Sequence, residues 1–267
     1  MLAVWIIIGA VGVAMLAGWL HGRRRRRRRR ALMARRLTAG DRQRLAREVP
    51  LYARLPADHR EKLEGIMQVF LDEMSFEACG GLEEVTELMR QVIAAQACML
   101  LLESGYEDFG RLRSILVYPD AFTVRDDFGM EDMRLGESWD TGSVVLSWSG
   151  ARAGGRNPED GLNLVLHEFA HQIDQANGDA DGLPILKRGS GVREWAESFG
   201  ASYGELRERV ERGKRTVLDD YGASNPAEFF AVATETFFEK PRQLRREHPR
   251  VYRELREFYG LDPLQWD

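Results

Sequence analysis

Between residues 164 and 174 the chain reads Leu164-Val165-Leu166-His167-Glu168-Phe169-Ala170-His171-Gln172-Ile173-Asp174. From Gly161 onward apolar residues crowd the segment, and Asn177-Gly178 is a stop signal, so the stretch reads as a helix. Residues four apart on a helix project from one face, so His167 and His171 can reach a single metal ion. Glu168, between them, points to the side, where it can take a proton from water. This is the H-E-x-x-H pattern of metallopeptidases. A helix buried for packing alone has little reason to hold two imidazoles and a carboxylate together.

Catalytic zinc takes three protein ligands and keeps a fourth position open, so a third ligand has to come from elsewhere. Asp174 falls within about 20° of the His167 direction but a further turn along, which suits a partner to a histidine better than a ligand. Glu194 and Glu197, in Arg193-Glu194-Trp195-Ala196-Glu197, lie at a distance along the chain that resembles the third-ligand helix of thermolysin-like enzymes. Glu228, in Ser224-Asn225-Pro226-Ala227-Glu228, also reads as the third residue of a capped helix start, with Asn225 as cap and Pro226 in the first turn. On spacing alone, capping and ligation stand level at Glu228.

Further out, Ser114–Tyr118 and Ser143–Trp148 are short β-branched runs and predict strands, the second an edge able to pair with an extended peptide. Helical spacing predicts helices near 58–70, 82–103, 192–212, 226–239 and 248–259. A few strands among many helices give an α+β fold, mainly α: a zincin-like metallopeptidase domain over residues 37–267, with a small sheet beside the motif helix.

The N-terminus has another character. Residues 1–20 carry no charge, and Trp5 and Trp19 sit near the ends of this run. As a helix, twenty residues span about 30 Å, the thickness of a bilayer core. Eight arginines, Arg23–Arg30, follow. Positive charge behind the apolar run argues against a cleaved signal peptide. The expectation is a transmembrane anchor over 1–20, then a polybasic juxtamembrane segment over 21–36 that touches lipid head groups through Arg23–Arg30. The chain would then be single-pass in the inner membrane, with its catalytic domain in the cytoplasm.

Ten of the 38 basic side chains lie in the first 36 residues, which hold no acid; the remainder carries 28 basic against 42 acidic groups. So acidic a body is not expected to bind nucleic acid. Two cysteines exclude a disulfide framework.

Three stretches carry a family likeness: Gly80-Gly81-Leu82 through Gln96-Ala97-Cys98; Val165 through Asp174 followed by Asn177-Gly178; and Tyr221-Gly222-Ala223-Ser224-Asn225-Pro226-Ala227-Glu228-Phe229-Phe230-Ala231-Val232. From about Val49 to Leu264 the chain resembles the Mlc titration factor A family of zinc metallopeptidases. The resemblance implies a gluzincin, with His167, His171 and Glu228 on Zn2+, Glu168 as general base and Tyr221 near the reacting carbonyl. On that basis Tyr221 is expected to donate a hydrogen bond to the oxyanion, a half-buried core tyrosine being the other reading, while helix spacing puts Glu235, seven residues after Glu228, on the same face, either to orient a histidine or as a solvated helix residue. A zinc-dependent peptidase acting on peptide or protein substrates is expected, with aminopeptidase action one form of it. The resemblance also implies an alternative from another class, a regulatory protein that sequesters a repressor of the Mlc type. A carboxylate in the base position favours the enzyme, because binding alone does not need one.

Overall fold

The strands come from the middle of the chain and the helices from both ends. The computed structural model describes residues 2–104, 109, 112–125, 131–134, 136–139, 142–186 and 191–266. Four helices open the chain: α1 (Leu2–Met33), α2 (Ala39–Glu48), α3 (Pro50–Arg54) and α4 (Ala57–Glu73). Then come β1 (Ser75–Ala78), α5 (Glu87–Met99), β2 (Ser114–Tyr118), β3 (Phe122–Arg125), β4 (Glu131–Arg134), β5 (Gly136–Trp139) and β6 (Ser143–Ser147). Helices close it: α6 (Trp148–Arg156), α7 (Leu164–Asp174), α8 (Val192–Glu211), α9 (Pro226–Glu239), α10 (Pro241–Glu247) and α11 (Pro249–Tyr259).

The main sheet has the order β1-β2-β6-β5. Its first three strands are parallel, with Ile115 opposite Phe76 on one side and Val144 on the other, and β5 closes it antiparallel to β6. β3 and β4 form a separate antiparallel pair. The fold is therefore α+β and mainly helical, and the motif helix α7 lies against β5 and β6, as expected. The expected edge strand is a different one. Val144, Val145 and Leu146 are buried, so β6 takes a central place between β2 and β5, and β5 lies at the edge. The run also ends one residue early, because the Ser147 hydroxyl accepts from Gly150 N–H (3.2 Å) and starts α6 at Trp148. Likewise α5 begins at Glu87 rather than 82, because Thr86 accepts from Met89 N–H (3.3 Å).

The core places α7. Phe169, Val165, Leu166 and Ala170 are fully enclosed, and the Phe169 ring meets Phe70 of α4 and Phe109 at 5.8 and 4.9 Å. On the far side α7 packs along α9, whose Phe230 meets Trp195 of α8 at 5.9 Å. α6 crosses close to the entry of α7. A Cβ on Gly154 would stand 2.9 Å from Asn163 Cα, so only glycine allows that approach.

The N-terminal expectation is corrected. Among the described residues no helix is long and apolar enough to cross a membrane, which overturns the single-pass inner-membrane placement. The apolar run and the arginines instead belong to one continuous helix, α1. The arginine block also has partners of its own within the protein. Arg25 and Arg29 pair with Glu73 (3.0 and 2.7 Å), Arg28 pairs with Asp72 (2.5 Å), and Leu32 is buried where α1 packs on α4. Paired arginines at three- and four-residue spacing form the inner face of a helix docked on the body.

Candidate metal centre

Two helix starts build the centre. α7 begins at Asn163, whose Oδ1 accepts from Leu166 N–H (3.0 Å). α9 begins at Asn225, whose Oδ1 accepts from Glu228 N–H (3.0 Å), with Pro226 in the first turn. The cap uses the backbone of Glu228 and leaves its carboxylate free to reach the histidines, so capping and ligation no longer compete.

The side chains of His167, His171 and Glu228 converge. Glu228 Oε2 lies 2.9 Å from His167 Nε2 and 3.3 Å from His171 Nε2, and the two ring nitrogens are 3.2 Å apart. Ligands about 2.0–2.1 Å from one tetrahedral ion stand about 3.3 Å from each other, so two imidazoles and a carboxylate at this spacing can hold a metal. Burial works against the charged form of Glu228, but the two imidazoles outweigh it and bring its carboxyl down to about 2. For His167, burial disfavours the imidazolium, yet the carboxylates of Glu228 and Glu235 hold the ring well above its usual value. Such a cluster calls for a cation at its centre, whether proton or metal.

A second layer lies on α9. Glu235 Oε1 accepts from His167 Nδ1 (2.8 Å), which leaves Nε2 turned toward Glu228 and His171; its Oε2 accepts from Asn163 N–H. One turn on, Glu239 accepts from Asn163 Nδ2 (2.9 Å) and Gly161 N–H (3.0 Å). Burial raises both carboxyls, that of Glu239 to about 8. Glu228, Glu235 and Glu239 fall within about 20° of one direction on a helix whose other residues are almost all apolar. That one-sided acidic stripe was the readable signal for Glu239 and for its partner Asn163, which sequence reasoning missed.

The other candidates are elsewhere. Asp174 is fully buried, but its Oδ2 accepts from Gly182 N–H (2.8 Å), so it holds the loop after α7 rather than a histidine; burial pushes it up to about 6. Glu194 and Glu197 are exposed on α8, the latter paired with Arg193 (2.9 Å). Tyr221 sits in the 3-10 turn Asp220–Ala223, is 56% exposed, and has its ring 5.8 Å from that of His167. Glu168 is buried beside Gly136 of β5.

Comparison with known proteins places the chain among metallopeptidase-like sequences. The sequence pattern of the family described as glucose-regulated metallo-peptidase M90 matches residues 23–260. The chain is 43% identical over 229 residues to an uncharacterised protein of Synechocystis sp., covering 82% of this chain and 83% of that one. It is 33% identical over 231 residues to Mlc titration factor A of Escherichia coli, with 82% and 86% covered. Against Mlc titration factor A of Klebsiella pneumoniae it is 32% identical over 228 residues, with 81% and 84% covered.

Proposed function

Because the chain belongs to the glucose-regulated metallo-peptidase M90 family, and is on that ground a metallopeptidase-like protein, we propose that it hydrolyses peptide bonds at a zinc ion held by His167, His171 and Glu228. The observation that carries the reading is the convergence of three ligand atoms within hydrogen-bonding distance of one another, with Glu168 between the two histidines on α7. Zinc, when bound, supplies a Lewis acid that polarises the scissile carbonyl and makes water more acidic.

The chain's own groups do the rest. Glu168 takes a proton from the attacking water as the oxygen–carbon bond forms, and hands it to the amine nitrogen as the carbon–nitrogen bond breaks. Glu235 holds the His167 ring in the tautomer that keeps Nε2 unprotonated. Tyr221, exposed beside His167, offers a hydroxyl to the oxyanion. An extended substrate adds a strand on the edge of β5, whose backbone passes alongside Glu168.

The test is cleavage of a peptide library by the full chain, loaded with zinc or stripped by chelator. Half of the library carries acetylated N-termini, so aminopeptidase action shows as cleavage confined to the free ones. No zinc-dependent cleavage of any peptide overturns the reading. A second reading rests on the relatives' name, Mlc titration factor A: sequestration of a repressor of the Mlc type. Its test is co-sedimentation of such a repressor with the Glu168→Gln chain.

A further inference from the structure

Gly136 opens β5 opposite Leu146 in a regular antiparallel pair, and it is not among the glycines with left-handed backbone. Space, not dihedral freedom, is what calls for glycine there. A Cβ at this position would stand 2.5 Å from Glu168 Oε1, 2.9 Å from Glu168 Cδ and 2.7 Å from Leu164 Cδ1. Both obstructed side chains lie on α7, four residues apart, and both are met at their flexible ends. The contrast is Gly182, where a Cβ would meet the backbone oxygen of Pro226 at 2.4 Å. At Gly182 the main chain has to give way; at Gly136 the Glu168 carboxylate, met first, and the end of Leu164 do.

We propose that Gly136 is a positioning residue for Glu168: its bare backbone leaves the space in which the Glu168 carboxylate lies between α7 and the edge strand. The proposal rests on the peptidase reading given above. A methyl group at residue 136 displaces the carboxylate from the place where it exchanges protons with the attacking water and the leaving amine. A misplacement of about 1 Å in a catalytic group costs about a hundredfold in rate. None of the three atoms nearest the new methyl belongs to His167, His171 or Glu228, so metal loading is expected to stay at the wild-type ratio.

The experiment has two arms on the full chain. In the first, Gly136→Ala is loaded with zinc and assayed beside wild type and Gly200→Ala, a control whose Cβ would meet nothing within 4 Å. The expected result is zinc at the wild-type ratio, kcat lower by about ten- to a hundredfold with KM little changed, and a shifted acid limb of the kcat profile. Gly200→Ala stays at wild type. Wild-type kcat in Gly136→Ala overturns the proposal. The second arm uses metal-free protein and needs no activity: the thermal midpoint falls by a few degrees in Gly136→Ala, and by less than half as much when the same change is made in Glu168→Ala. An equal fall in both backgrounds, or a Gly136→Ala chain whose folding Glu168→Ala does not restore, overturns the contact. Failure of the peptidase reading looks different, since wild type itself then cleaves nothing with zinc present.

Discussion

Glu235→Gln isolates the second layer with almost no change of shape. In the wild type both carboxylate oxygens accept, one from His167 Nδ1 at 2.8 Å and the other from Asn163 N–H. Glutamine keeps one acceptor and turns the other into a donor. In the metal-free chain the amide oxygen can face Asn163 N–H and its NH2 can face His167 Nδ1, provided the ring gives up its Nδ1 proton and keeps the Nε2 proton that Glu228 accepts. Every group is then satisfied, and a carboxyl that burial had pushed upward is gone. The metal-free thermal midpoint should therefore stay near wild type. Zinc, however, needs the Nε2 lone pair. Binding it returns the proton to Nδ1 and sets donor against donor, which leaves one buried N–H unsatisfied at about 1–3 kcal/mol. At about 1.4 kcal/mol per tenfold, zinc affinity falls by about 5- to 150-fold. The assay is zinc competition against a chromogenic chelator, with thermal midpoints of both metal-free and loaded protein. Wild-type zinc affinity in Glu235→Gln would refute the orienting role. A fall in the metal-free midpoint instead would mean that the amide leaves Asn163 unsatisfied and His167 alone.

Three further outcomes follow from the same geometry. Glu168→Gln should keep zinc and lose turnover, read as metal per chain beside the cleavage rate, because the amide cannot accept a proton at neutral pH. Glu228→Gln should fold with an intact N-cap, since the cap bond uses its backbone N–H, yet lose zinc on dialysis and with it cleavage. Glu48, bridged by Arg152 and Arg156 (2.8 and 2.7 Å), is brought from 4.5 down to about 2 by the Arg152 hydrogen bond in the first place. A carboxyl depressed in the folded state adds stability above its unfolded value and loses it as pH falls toward about 2. The unfolding free energies of wild type and Glu48→Gln, read from urea titrations, should differ at pH 6 by on the order of 1–2 kcal/mol with half-exposed arginines, and converge near pH 2.

Local signals made α7 and α9 legible. A crowded apolar run fills each, Asn225-Pro226 marks the start of α9 and Asn177-Gly178 the stop after α7, so both helices and the pair of histidines could be read directly, although the Asn163 cap of α7 was not. Glu228 was ambiguous because one residue serves two ends, a capped N–H and a carboxylate that reaches across to α7. α6 was missed because its glycines argue against a helix; the approach of Asn163 to Gly154 and of the Gln96 side chain to Gly155 explains two of them. β1 and β5, four residues each, carry no periodicity of their own and exist through their neighbours. For the same reason the edge was assigned to the wrong strand, and Gly136 went unnoticed. The N-terminal run misled because its composition is local, whereas Asp72 and Glu73, which pair with its arginines, lie more than forty residues further on.

The grip of Glu235 and Glu239 on Asn163 and Gly161 has a consequence for how the centre is filled. These bonds join α9 to the start of α7 through carboxylates that accept from the backbone N–H groups of Gly161 and Asn163 and from the Asn163 side-chain amide. A zinc finger spends the free energy of its metal on assembling the chain, and so unfolds when the metal leaves. On the proposed metal-centre reading, the two helices that carry the ligands are joined by bonds of their own, so stripping the ion with a chelator is expected to leave the far-UV spectrum of the folded chain unchanged and to be reversed by adding zinc back.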